Sequence, residues 1–348
     1  MPAPLLPLKK LPRRIDVHHH IFPPSLMQSK LEANDHVGWR TPPENLPWTP
    51  ELSLDTMDAL GIDTAVLSFP AGVLSGPPGP ESCAQARELN IMASKICQDH
   101  PGRFGFFACL PDPTDELGAL DELIFALDHL HADGVSLSSS YGQGADAKYI
   151  GDEAYDPLWK ELNRRGCVVF LHGAQTPSST PYPHPFLGLP ITEVPNETFK
   201  AAAHLVVSGK KRMYPNVRII LAHLGGSVPF LTSRVAVLSG HMGCPLSPEE
   251  IMEDFKTFYF ETALSASETT LTAMKSFVGP EKMLFGTDFP AVSRETISWY
   301  TEELDKFYAG SDDDARTLEE INYQNAMRLF PRLFICSVKT GISPPRRR

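Results

Sequence analysis

Three histidines in a row, His18, His19 and His20, follow Asp16 in the stretch RRIDVHHHIFPP near the start of the chain. Imidazole nitrogens and carboxylate oxygens at this density can hold a divalent cation, relay protons, or form a solvated surface run. Strand geometry narrows the choice: side chains alternate between faces, so His18 and His20 point to one side and His19 to the other. The same residue types end other short apolar runs: His172 in CVVFLHG, His223 in VRIILAHLG and Asp288 in MLFGTDFP, with Glu261 in FYFETA the comparable polar residue of a seventh run. His18, His20, His172 and Asp288 together form a donor set that suits zinc, manganese or iron and leaves positions open for water or substrate. His223 would stand beside such an ion without being required as a ligand, where a general base or a substrate contact belongs. Taken singly, each histidine is as readily a hydrogen-bonded core residue. Their joint placement at strand ends is what favours a metal site, and His19, facing away, is the expected control position.

Eight β-rich runs would position these groups, at 15–22, 64–69, 104–110, 134–140, 167–173, 217–225, 258–263 and 283–290. Helical spacing of apolar residues recurs between them, at 81–100, 116–132, 157–166 and 197–215, several of these stretches being followed by Gly or Pro. Strand and helix in repeated alternation predict one domain spanning 1–348, a (β/α)8 TIM barrel with its core at about 14–330 between a short N-terminal tail and a basic C-terminal tail. A doubly wound open sheet is the structural alternative. In a barrel the C-terminal strand ends meet at one mouth, and the proline-rich segments 23–53 and 174–196 become loop insertions on that face.

The formal charge of -11 argues against nucleic-acid or anionic-membrane partners, which require a basic face. The terminal PPRRR is the one basic cluster and reads as a solvated tail. Cys83, Cys97, Cys109, Cys167, Cys244 and Cys336 include no CxxC pair, so reduced thiols in the cytosol are expected. No apolar run has the length of a signal peptide or a membrane span. GxSxG, GxGxxG and Walker-type motifs are absent, which leaves serine-nucleophile, dinucleotide and nucleotide chemistry without support.

Taken in order and spacing, IDVHHHIFP, FLHG, LAHLGGSVPFLTSRV and LFGTDFP resemble the amidohydrolase superfamily, and within it the aminocarboxymuconate-semialdehyde decarboxylase branch, from Arg14 to Phe330. The resemblance implies a distorted TIM barrel holding one divalent ion, zinc first and manganese second, on His18, His20, His172 and Asp288, with His223 as the active-site histidine. Binuclear relatives bridge two ions through a carboxylated lysine on strand four, and GVSLSSS has no lysine. Arg234 matches an arginine that in the family reaches the neighbouring subunit's site and contacts substrate there, which implies a homodimer. Two departures bear on substrate. Glu44, in ENLPWTPE, stands where the muconate-semialdehyde type has an arginine for a second carboxylate, and Gly225 and Gly226 follow His223 where the resorcylate type has a glutamate. The histidine run is similar to that of branch members acting on 6-methylsalicylate in secondary metabolism. The implied activity is therefore a carboxy-lyase acting on a 2-hydroxybenzoic acid, releasing carbon dioxide and 3-methylphenol, with Asp288 or a metal-bound water as proton donor. Phe22, Trp48, Phe186 and Phe289 are candidates to hold the ring. A lactone or amide hydrolase of the same fold and an inactive binding barrel are the alternatives.

Overall fold

Runs of valine, isoleucine and phenylalanine pair as eight parallel strands in the computed structural model, which describes residues 13–23, 37–74, 77–142, 146–174 and 184–334. The basic tail, Cys336 and the parts of the proline-rich segments at 24–36 and 175–183 lie outside the described residues. The strands hydrogen-bond in the order β1 (Ile15–His20), β2 (Thr64–Ser68), β3 (Phe104–Cys109), β4 (Gly134–Ser138), β7 (Val168–His172), β8 (Arg218–Leu221), β9 (Tyr259–Glu261) and β10 (Met283–Leu284). An antiparallel hairpin of β5 (Ser140–Tyr141) and β6 (Lys148–Tyr149) follows β4. The circle closes between first and last strands. Val17 N–H donates to the Phe285 carbonyl at 3.0 Å, Asp288 N–H to that of His18 at 2.8 Å, and His20 N–H to that of Phe289 at 2.7 Å. This closure makes the fold a barrel rather than a doubly wound sheet, and because β10 is regular over only two residues the barrel is distorted at that seam.

Inside the barrel, Ile15, Val17, Val66, Phe107, Val168, Phe170, Ile220 and Leu284 pack against Tyr323, Ala326, Leu329 and Phe330, which plug one end. Full burial of side chains such as Phe107 and Phe170 contributes roughly 2–3 kcal/mol each. A larger apolar layer lies between the strands and the surrounding helices. The helix expected at 197–215 starts earlier, at Leu189, with Pro190 in its first turn, and ends at Val207; left-handed Gly209 separates it from a short Lys210–Met213 helix. A Cβ on Gly226 would lie 2.1 Å from the Pro195 carbonyl of the longer helix, so the loop after β8 fits there only as glycine. Among the described residues no helix is long and apolar enough to cross a membrane.

β1 carries a register shift. Asp16 lies opposite Ala65 and His19 opposite Leu67, three steps on one strand against two on its partner, so an extra residue reverses the alternation. Val17 and His18 therefore both face the interior, Val17 within the inner apolar cluster and the His18 ring 4.9 Å from that of Phe170. Uninterrupted alternation from Ile15 and Val17 would have sent His19 inward. The bulge turns His18 and His20 inward instead.

Candidate metal centre and active site

The donor atoms of His18, His20 and His172 lie within 4.8 Å of one another, as do those of His18, His223 and Asp288. The Nε2 atoms of His18 and His20 are 3.0 Å apart, and Asp288 Oδ1 lies 3.4 Å from the first and 3.3 Å from the second. His223 Nε2 stands 3.9 Å from Asp288 Oδ2. Both His223 and Asp288 have left-handed backbones, with φ of 56° and 64°. That conformation is uncommon outside glycine, although histidine and aspartate adopt it more readily than most residues, and such backbones are concentrated at functional sites.

The other ring nitrogen of each histidine determines what its Nε2 can do. His18 Nδ1 meets Glu261 Oε1 at 2.8 Å, His172 Nδ1 the Gly173 carbonyl at 2.9 Å, and His223 Nδ1 the Ala263 carbonyl at 3.1 Å. Carboxylate and carbonyl oxygens only accept, so all three rings carry a proton on Nδ1. In the neutral rings a lone pair on Nε2 is then aimed into the common centre. His20 Nδ1 pairs with the Ser68 hydroxyl at 2.9 Å. Imidazoles anchored through Nδ1, with Nε2 turned to a common centre and an aspartate beside them, are the arrangement by which proteins ligate metal. The donor set therefore fits a divalent cation bound by His18, His20, His172 and Asp288, with His223 adjacent.

The electrostatics agree. Burial works against a charge on His18, but the carboxylates of Glu261 and Asp288 outweigh it and push its pKa up to about 10. His172 is held well below the usual histidine range, by burial first and then by repulsion from His18, His223 and His20. Burial would raise the Asp288 carboxyl, yet His18 and His20 hold it well below its ordinary value. Two carboxylates thus demand positive charge at this point.

Glu261, to which the sequence assigned no role, is fully buried at the centre of the arrangement. Its Oε1 accepts from His18 Nδ1–H and, at 2.5 Å, from the His223 backbone N–H, while Oε2 accepts from Ala263 N–H at 2.7 Å. The available signal was one glutamate ending an otherwise apolar strand. His19 also differs from expectation. It faces away from the centre but is fully buried, with Nδ1 3.0 Å from Asp16 Oδ2 and Nε2 2.9 Å from the Ser53 hydroxyl, so it is a structural tie rather than an inert control.

Above the donor atoms lies a cavity of about 430 Å³, lined by His20, His172, His223 and Asp288 together with Phe22, Trp39, Thr41, Ile191, Val194, Leu264, Ser265, Val292, Thr296, Tyr300 and neighbouring small residues. Of the four aromatic candidates only Phe22 is among the lining residues. Trp48 and Phe289 are buried elsewhere, with the Phe289 ring against His19, and Phe186 is exposed. Trp39 and Tyr300 supply the other aromatic walls. Glu44 is exposed and does not line the cavity, so it does not oppose a second carboxylate there. The lining holds no lysine or arginine among the described residues. Arg234 is exposed on the helix Val228–Leu238 and is not brought to this chain's own cavity. Ser136 and Ser138 of β4 and Ser140 of β5 line a neighbouring cavity, which shares Pro70 and Ala71 with the first.

A TIM-barrel enzyme with a histidine and aspartate metal-binding site at the mouth of the barrel is the class that this fold and centre define. The chain belongs to the amidohydrolase family, whose profile matches residues 15–332. It is 40% identical to the 6-methylsalicylic acid decarboxylase acuB of Aspergillus aculeatus, over 92% of this chain and 96% of that one. It is 38% identical to the 6-methylsalicylic acid decarboxylase of Penicillium expansum, over 92% and 97% of the respective chains. The dihydroxybenzoic acid decarboxylase of Polaromonas sp. JS666, solved with manganese and the inhibitor 2-nitroresorcinol, shares the fold at a TM-score of 0.77 and 23% identity, over 92% of this chain and 97% of that one.

Proposed function

We propose that this chain is a metal-dependent, non-oxidative decarboxylase of a 2-hydroxybenzoic acid, converting 6-methylsalicylate to 3-methylphenol and carbon dioxide. The observation that carries this reading is the convergence of Nδ1-anchored histidines and Asp288 beneath a largely apolar cavity with no cationic side chain among its described lining. Within one chain such a site has one place for negative charge, at the ion, and apolar walls for the rest of an aromatic ring. A substrate with one carboxylate and an adjacent phenol matches it. The relatives named for 6-methylsalicylic acid support the choice of ring.

When bound, the ion supplies Lewis-acid stabilisation of charge on the carboxylate and phenolic oxygens. The nitrogen-rich donor set favours zinc, with manganese, which the Polaromonas neighbour carries, as the alternative. The side chains move the protons. Asp288, held as the anion, takes the phenolic proton and gives it to the ring carbon that bears the carboxylate. The carbon–carbon bond then breaks, its electron pair returns to the ring as carbon dioxide leaves, and the phenolate product regains a proton from water by way of His223. Phe22, Trp39 and Tyr300 hold the ring plane. Two further features support a homodimer in the cytosol. Exposed Phe230, Val237 and Met242 flank Arg234 on one stretch of chain, a face suited to a second copy, and the free thiols of Cys83, Cys97, Cys109, Cys167 and Cys244 suit a reducing compartment.

The test is incubation of the metal-loaded protein with 6-methylsalicylate. Stoichiometric carbon dioxide and 3-methylphenol are expected, whereas turnover confined to lactones or amides would establish a hydrolase.

A further inference from the structure

We propose that Glu261 is the positioning residue that couples the ligand His18 to the neighbouring His223. The inference rests on the reading of the centre as a metal site and adds a part that the ligand set does not contain. A single carboxylate oxygen, Oε1, accepts both from the His18 ring at 2.8 Å and from the His223 backbone at 2.5 Å. The second oxygen holds Ala263 N–H at 2.7 Å, and the Ala263 carbonyl returns to His223 Nδ1 at 3.1 Å. His223 is thereby gripped at its backbone and at its ring by one short segment of β9 and the residues after it. Those two contacts hold His223 in the left-handed conformation that it shares with Leu224 at φ 52°. On the other side, the grip selects the Nδ1–H tautomer of His18 and so presents its Nε2 lone pair.

The space around this carboxylate is closed. A Cβ on Gly286 would fall 2.1 Å from Glu261 Oε2 and 3.0 Å from the His18 Cβ, so the glycine two residues before Asp288 is required by Glu261. The charge is required as well. A glutamine of the same shape has one accepting oxygen: if it serves His18 and His223, its amide nitrogen faces Ala263 N–H, donor against donor; if it is flipped, both histidines lose their acceptor.

The experiment compares wild type, Glu261→Gln and Glu261→Asp by zinc titration of the metal-stripped proteins and by steady-state kinetics at saturating zinc. Expected for Glu261→Gln is zinc affinity weakened about 10- to 100-fold, and kcat lowered with KM little changed, because His223 is disturbed while the apolar walls that hold the ring are not. The aspartate variant, which keeps the charge but falls short in reach, should recover part of both. An affinity and kcat within about twofold of wild type in Glu261→Gln would overturn the coupling. Histidine nitrogen spectra of the zinc-loaded wild type address the same point without a substitution. A strongly deshielded proton on His18 Nδ1 is expected, and zinc bound through Nδ1 would overturn the proposal. Wild-type protein that takes up no zinc at all would instead sink the metal reading, a result distinct from either of these.

Discussion

Asp16 and Glu261 are both fully buried carboxylates and both accept a hydrogen bond from His18, yet they hold different things. Asp16 takes the His18 backbone N–H at 3.0 Å, the Thr287 N–H at 3.1 Å, the Thr287 hydroxyl at 2.6 Å and the His19 ring at 3.0 Å. All four donors belong to the seam between β1 and the chain after β10. Glu261 takes the His18 ring and the His223 and Ala263 backbones, on the side where the donor atoms of the centre converge. Burying a carboxylate costs several kcal/mol unless several donors meet it, and both residues satisfy that condition. The same physical requirement has produced a weld in one place and a ligand support in the other.

That difference gives an order of effects. The largest is expected at Asp288, which the Asp16 weld places and the histidines ionise: Asp288→Asn should reduce carbon dioxide release by about 10³-fold with an unchanged circular dichroism spectrum, and an active variant would remove Asp288 from the proton path. Asp16→Asn should lose about 2–4 kcal/mol in urea unfolding, since an amide cannot accept from all four donors. If its stability is kept but zinc affinity is lost, the two carboxylates do not differ as described. Zinc at 100 times its dissociation constant should stabilise wild type by about 2.7 kcal/mol; thermal melts with and without chelator should show this increment reduced in Asp16→Asn, but less than in Glu261→Gln. Gly286→Ala should destabilise by about 1–3 kcal/mol through overpacking against Glu261, with zinc affinity falling in parallel. The smallest effect belongs to His19→Gln, at about 1 kcal/mol per hydrogen bond lost from Asp16 or Ser53, with kcat within about tenfold of wild type. Loss of metal there would mean that the outward-facing histidine reaches the centre after all.

The eight strands were legible in the sequence because parallel strands covered by helices are apolar on both faces, and the polar residues that end them stand out against that background. His18, His20, His172, His223 and Asp288 group on that ground from the sequence alone, and their donor atoms meet in the fold. What escaped depends on contacts between distant segments. Glu261 has no fixed spacing to His18, 243 residues away, that would mark it as its partner. The β1 bulge follows from the pairing of Asp16 with Thr287, which no local pattern encodes. The early start of the helix at Leu189 is hidden by Pro190 and Pro195, which read as loop: Pro190 falls in the first turn, which accepts proline, while Pro195 lies inside the helix, where proline is disfavoured. Closeness to a strand end does not place an aromatic ring in the cavity: Trp48 and Phe289 are buried in the core.

The bulge in β1 also sets a rule for transplantation. Copying His18 and His20 onto a regular strand of another barrel would place them out of step with the apolar layer that Ile15 and Val17 complete below them. The smallest portable unit is Asp16 through His20 together with Thr287, whose hydroxyl and amide hold the kink from across the seam. Donor chemistry and strand irregularity travel as one cassette.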